Sequence, residues 1–294
     1  MNQSKKIGLT VVAIAVVIFA VFMCGCTGNG DKTSTTTTTT TPSNTVIETL
    51  TVTGSTTVLP IGQAVAESYM TENANADIQV SGGGSSVGVQ AVGEGTADIG
   101  MASRELKDSE KELYPNLVQH VIAKDGIALI VYKDNPVSDL TLENIKKIYL
   151  GEITNWNEVG GEDMTIVVVG RDSSSGTREY FTEKIMNGEN CISTLLEKNS
   201  NGAVLQTVAQ TPGAIGYISM GYIDKTVKSL KIDENGVLIE PTINNVLNGS
   251  YPVSRDLNMF TNGEPEGLAK EYIDYILSSK GQAIAAEEGY VTVA

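Results

Sequence analysis

Short aliphatic and β-branched runs alternate with longer stretches whose apolar positions recur at helical spacing through most of the chain. The short β-prone runs predict extended segments at residues 49–53, 78–81, 99–102, 127–132, 166–170, 214–218 and 253–260. Helical spacing predicts helices at 61–70, 87–94, 142–149, 176–185, 203–209, 268–277 and 282–288. This rhythm is that of an α/β chain. A strongly β-prone segment after Gly126 marks the expected start of a second lobe. No internal repeat is evident.

The N-terminus departs from this pattern. Lys5 and Lys6 precede an uncharged apolar run, 7–23, that ends in Cys24-Gly25-Cys26. That is the layout of a signal peptide, here 1–26. A stop-transfer helix is the competing reading, because the run approaches the roughly 20 residues that span a bilayer. Small residues beside cysteine favour processing, with Cys26, which follows Gly25, as the lipidated residue in preference to Cys24, which follows Met23. Residues 27–45 are dominated by threonine and carry no apolar periodicity, so they read as a tether, open to O-glycosylation. Beyond the tether the one cysteine is Cys191, read as a small buried hydrophobe, so stability must come from an ordinary core. The remaining residues, roughly 250, suffice for one large domain or two lobes.

Three places share one design: a β-prone run ends in a loop of Gly, Ser and Thr, and a helix follows at once. They are Gly54-Ser55-Thr56-Thr57, Gly82-Gly83-Gly84-Ser85-Ser86 and Arg171-Asp172-Ser173-Ser174-Ser175-Gly176-Thr177. A helix N-terminus presents unpaired N–H groups and a partial positive charge, which suits an anion. Glycine admits close backbone approach. Serine and threonine hydroxyls add rotatable donors, and Arg171 adds a charge-assisted one. Each loop alone is explained as well by N-capping, and Arg171 alone by an ion pair with Asp172. Together they point to a tetrahedral oxyanion.

Other chemistries find little support. The formal charge of -15 argues against nucleic acid, whose affinity rests on clustered Lys and Arg. The same acidity bears on solubility and encounter rate more than on a local anion site, because salt screens exposed charges beyond about 10 Å. The run from Gly170 to Thr177 lacks the lysine and glycine spacing of a P-loop, and no GxSxG elbow surrounds its serines. His120 is the single histidine and lies in an apolar run, where a structural role is expected, and a Cys/His zinc site is excluded by numbers. No metal, cofactor or catalytic residue is expected. Asn248-Gly249-Ser250 matches a glycosylation sequon, but Asn-Gly reads first as a turn.

From about Thr51 to the C-terminus the sequence resembles the PstS family, the phosphate-binding proteins of phosphate ABC importers. The motifs are Gly54-Ser-Thr-Thr-Val-Leu-Pro60, Gly83-Gly-Ser-Ser-Val-Gly88, Ala97-Asp-Ile-Gly100, Ala102-Ser-Arg104, Tyr149-Leu-Gly-Glu-Ile-Thr-Asn-Trp156 and the run Arg171 to Thr177. The resemblance implies a type II periplasmic-binding-protein fold, with two α/β lobes, each a mixed sheet flanked by helices, and the ligand between them. The lobes would comprise 46–126 plus 250–294, and 127–249. It implies phosphate held by Ser55, Thr56, Thr57, Val58, Ser85, Ser103, Arg171, Ser175, Gly176 and Thr177. It further implies delivery of inorganic phosphate to the membrane permease subunits; the N-terminal layout itself puts the chain on the outer face of the cell membrane, the shortage of His, Cys and bases argues against an enzyme, and a monomer is expected. Longer members place an aspartate where this chain has Ser103, and that carboxylate accepts the proton that phosphate carries and sulfate lacks. Asp172 is the candidate to replace it. The readings left open are another tetrahedral oxyanion (sulfate, molybdate or tungstate) and a phosphoryl-transfer enzyme.

Overall fold

The computed structural model describes residues 46–293. The signal segment, Cys24, Cys26 and the tether lie outside the described residues. The chain runs β1 (Glu48–Gly54), α1 (Leu59–Glu72), β2 (Ala76–Gly82), α2 (Ser85–Gly93), β3 (Ile99–Ala102), α3 (Asp108–Leu113) and β4 (Leu117–Tyr132). It continues β5 (Asp139–Thr141), α4 (Leu142–Leu150), β6 (Val167–Arg171), α5 (Gly176–Lys184), β7 (Leu196–Lys198), α6 (Asn201–Gln210) and β8 (Ala214–Ser219). It closes with β9 (Val227–Ser229), β10 (Lys231–Glu234), β11 (Val237–Ile239), α7 (Ile243–Leu247), β12 (Ser254–Asn262), α8 (Gly267–Leu277) and α9 (Ser279–Glu287). Among the described residues, no helix is long and apolar enough to cross a membrane.

Among the described residues, nine strands form one sheet in the order β2-β1-β3-β12-β4-β8-β6-β7, with β9 also on β4. The strand that joins its two halves is β4. At 16 residues and about 3.3 Å per residue it is roughly 50 Å long, well beyond an ordinary strand. Its first part pairs antiparallel with β12, and its second part, from Ile127, pairs antiparallel with β8. The sequence pattern places the start of this strand ten residues too late, because Gln119, His120, Lys124 and Asp125 interrupt the apolar run. His120 sits on β4 with its Nε2 2.9 Å from the Thr261 hydroxyl on β12, a structural cross-strand contact.

Two main cores lie on either side of that change of partner. Val52, Ile61, Ile99, Met101, Leu257 and Tyr272 belong to one. Leu129, Tyr149, Trp156, Phe181 and Tyr217 belong to the other, where the Phe181 and Tyr217 rings stack with centroids 4.0 Å apart. Cys191, expected from the sequence to be buried, is only half-buried: it packs against the edge of this second cluster, and that partial burial pushes its thiol pKa up. The helices begin where local chemistry supplies partners for their first N–H groups. Thr141, Ser175 and Ser200 each accept from the backbone N–H three residues on, opening α4, α5 and α6. At Asn248 the side chain accepts from the Ser250 N–H and Gly249 takes φ of +75°, so this segment is a turn.

Parallel pairing of β1 with β2 and β3, and of β6 with β7 and β8, sends the carboxyl ends of β1, β2 and β3 into loops that meet the loop after β6. In open α/β sheets ligands collect at such ends.

Candidate functional site

All three Gly/Ser/Thr loops lie between a strand and a helix, as the sequence pattern predicts: β1 to α1, β2 to α2, and β6 to α5. Ser103 follows β3 directly. The structure brings these segments together. Thr57 Oγ1 lies 3.1 Å from Thr177 Oγ1. The Ser85 and Ser103 hydroxyls are 3.3 Å apart. A Cβ on Gly176 would lie 2.3 Å from Ser85 Oγ and 3.0 Å from Ser103 Oγ. Ser55, Thr56, Thr57, Val58, Ser85, Ser103, Arg171, Ser175, Gly176 and Thr177 are all buried. So many buried hydroxyls in one place are costly unless each has a partner.

The partners give the hydroxyls a direction. Ser55 Oγ accepts from the Thr57 N–H at 3.1 Å, Ser85 Oγ from the Ser103 N–H at 3.0 Å, and Ser175 Oγ from the Arg178 N–H at 3.2 Å. An amide N–H can only donate, so each hydroxyl keeps its own proton for another acceptor. N-capping and anion binding are therefore compatible uses of the same serine. The first loop is also held from behind, because Tyr222 donates to the Thr56 carbonyl at 2.6 Å and Tyr290 to the Thr57 carbonyl at 2.8 Å.

Arg171 ends β6 and is 1% exposed. Its Nε donates to the Lys198 carbonyl at 3.1 Å and its Nη2 to the Asn199 carbonyl at 3.3 Å, which fixes the plane of the guanidinium. Burial lowers its pKa, opposed by the nearby Asp172 carboxylate. Asp172 closes the loop on itself: Oδ1 accepts from the Ser174 N–H at 2.8 Å and from the Ser174 hydroxyl at 2.5 Å. Its Oδ2 is buried with no hydrogen-bond partner among the described residues.

Contacts also tie the loop rims together. The Ser86 N–H donates to the Ser174 carbonyl at 3.1 Å, and the Ser174 hydroxyl lies 3.1 Å from the Gly83 carbonyl. Gly84 has φ of +102°, and a Cβ there would sit 2.3 Å from Ser174 Oγ, so only glycine suits it. Farther out, Glu179 on α5 pairs with Arg104 and, at 2.6 Å, with Lys107.

Sequence reasoning missed three buried residues beside these loops. Asp125, on β4, and Arg255, on β12, form an ion pair at 2.7 Å, and Arg255 reaches the Ser103 carbonyl at 3.1 Å and Thr57 Oγ1 at 3.4 Å. Burial pushes the Asp125 carboxyl pKa up, and Arg255 opposes it. Asn201, the first residue of α6, donates to Thr57 Oγ1 at 2.9 Å. Only Asn201 has a local sign, since Asn199-Ser200 is a fourth polar loop ending at a helix that opens with Asn201-Gly202.

The tight fit at Gly176 predicts a mutant phenotype. G176A puts a methyl group where the Ser85 side chain lies, between the two sets of loops. Overpacking of this kind costs about 1–3 kcal/mol, so an anion held by both sets should bind roughly fivefold more weakly or worse. Calorimetry with phosphate checks this, and affinity within about twofold of wild type would mean that the loops need not close to this spacing.

The chain matches the family described as the PBP superfamily domain over residues 39–280. It is 39% identical over 246 residues to the phosphate-binding protein PstS of Bacillus subtilis, covering 83% of this chain and 80% of the relative. It is 30% identical over 267 residues to PstS of Pseudomonas aeruginosa, covering 82% of each. Among solved structures it is similar to one from Clostridium perfringens, described as a putative phosphate ABC transporter substrate-binding protein with bound phosphate. The TM-score there is 0.79 at 42% identity, with 84% of this chain and 100% of the other covered. A second, described as an ABC-type phosphate transport receptor from Vibrio cholerae, has a TM-score of 0.69 at 34% identity, covering 83% of this chain and 99% of the other. On motif, fold and relatedness together, the chain belongs to the PstS family of phosphate-binding proteins within the PBP superfamily.

Proposed function

We propose that this chain captures inorganic phosphate outside the cytoplasm and delivers it to the membrane permease subunits of an ABC importer, acting by binding and release and not as an enzyme. The observation that carries this reading is the cluster of buried hydroxyls drawn from the loops after β1, β2 and β3 on one side and from the loop after β6, which the buried Arg171 opens, on the other. The two lobes are 46–126 plus 250–294, and 127–249, a division supported by the change of partner along β4. Phosphate bonds to both lobes at once, so its bonds are complete only in the closed form and shift the open–closed balance by that differential affinity. The closed form is what the permease recognises. The mature chain is a monomer, tethered by residues 27–45 to a lipid on Cys26.

Most of the hydroxyls are set as donors, an arrangement that suits an oxyanion but does not by itself distinguish phosphate from sulfate. The Ser85 and Ser103 contact can run in either direction, so Ser103 can accept the proton of hydrogen phosphate. Calorimetric titration at fixed salt tests the reading. Phosphate is expected to release heat and bind more tightly than sulfate; heat with sulfate and none with phosphate contradicts it.

A further inference from the structure

We infer that Asn201 sets the direction of a hydroxyl chain through Thr57 to Thr177, so that Thr177 presents its proton to the bound anion. Asn201 is thus a positioning residue. The inference rests on the phosphate reading of the site.

The side chain of Asn201 is fully buried and its orientation is fixed from one end. The Ser219 backbone nitrogen lies 3.1 Å from Oδ1. Because that N–H can only donate, the atom facing it must be the oxygen, and the amide nitrogen must face the first loop. There Nδ2 lies 2.9 Å from Thr57 Oγ1 and 3.3 Å from Thr56 Oγ1.

A hydroxyl has one proton and two acceptor positions. Thr57 Oγ1 receives Asn201 Nδ2, and Arg255 Nη2 approaches it at 3.4 Å. Both neighbours can only donate. With donors on two sides the Thr57 proton is left for a third direction, where Thr177 Oγ1 lies at 3.1 Å; either hydroxyl can donate in that contact, and the Asn201 and Arg255 donors favour Thr57 giving and Thr177 receiving. Thr177, accepting that proton, directs its own outward. The surroundings of the chain are anchored as well, since Ser219 Oγ donates at 2.7 Å to Asp125, which Arg255 grips. Thr57 sits in the loop after β1 and Asn201 at the start of α6, so the bond also links the two sides of the site.

A double-mutant cycle on the full chain, read by calorimetry with inorganic phosphate, tests this. N201S is expected to weaken phosphate binding by about tenfold. On a T57V background, which has no hydroxyl to direct, the same change should cost less than about twofold. Unchanged affinity in N201S, or an equal loss on both backgrounds, overturns the inference, because a purely structural role would act without regard to Thr57. If melting curves show that T57V does not fold, T57A supplies the background without a hydroxyl, and the same comparison decides. A wild-type chain that gives no heat with phosphate contradicts the phosphate reading itself, and the inference falls with it. A wild-type chain that binds normally while the cycle is additive contradicts the inference alone.

Discussion

Phosphate affinity is expected to fall about thirtyfold or more when Arg171 is replaced by alanine. The guanidinium is 1% exposed, so water cannot take over its role cheaply. Truncating one partner of a buried, hydrogen-bonded charge pair costs about 2–5 kcal/mol, and each 1.4 kcal/mol is a factor of about ten in affinity. The Lys198 and Asn199 carbonyls hold the fork in one plane, so R171K keeps the charge but loses the geometry. It should bind more weakly than wild type and more tightly than R171A. Calorimetry measures both, and affinity in R171A within about threefold of wild type removes Arg171 from the site.

The second large effect is on stability. Asp125 and Arg255 are 0% and 5% exposed, and the carboxylate accepts from Arg255 Nε at 3.1 Å and Nη2 at 2.7 Å. It also accepts from the Ser219 hydroxyl at 2.7 Å. D125A leaves the arginine buried without its partner, a loss worth about 3–5 kcal/mol. For a unit of this size, each kcal/mol lowers the melting temperature by about 2–4 °C, so a fall of roughly 6–20 °C is expected in thermal unfolding. A shift under about 2 °C would mean that the pair is not a structural link between β4, β8 and β12.

The residues behind these two effects are not equally legible in the sequence. The α/β order is readable because its longer elements carry strong patterns, as in the helical spacing of Leu142, Ile145 and Tyr149 in α4 and the apolar run of β8. The short strands β5, β7, β9, β10 and β11 are not, since three or four residues give too little pattern to separate strand from loop. The donor loops are readable because glycine, serine and threonine before a helix have a local meaning. Arg171 can be placed for the same reason. Asp125 and Arg255 cannot, because their significance lies in meeting each other across 130 residues of sequence. Each stands as a charge within an otherwise β-prone run, which says that a partner is needed but not which one. Asp172, the sequence's candidate proton acceptor, is engaged through Oδ1 in its own loop.

The most direct test is a crystal structure of the chain with phosphate. One phosphate is expected in contact with Arg171 and the segment Ser175, Gly176 and Thr177 on one side, and with the loop Ser55 to Val58, Ser85 and Ser103 on the other. Phosphate touching only one of these sides, or lying away from Arg171, would contradict a site shared between the two lobes.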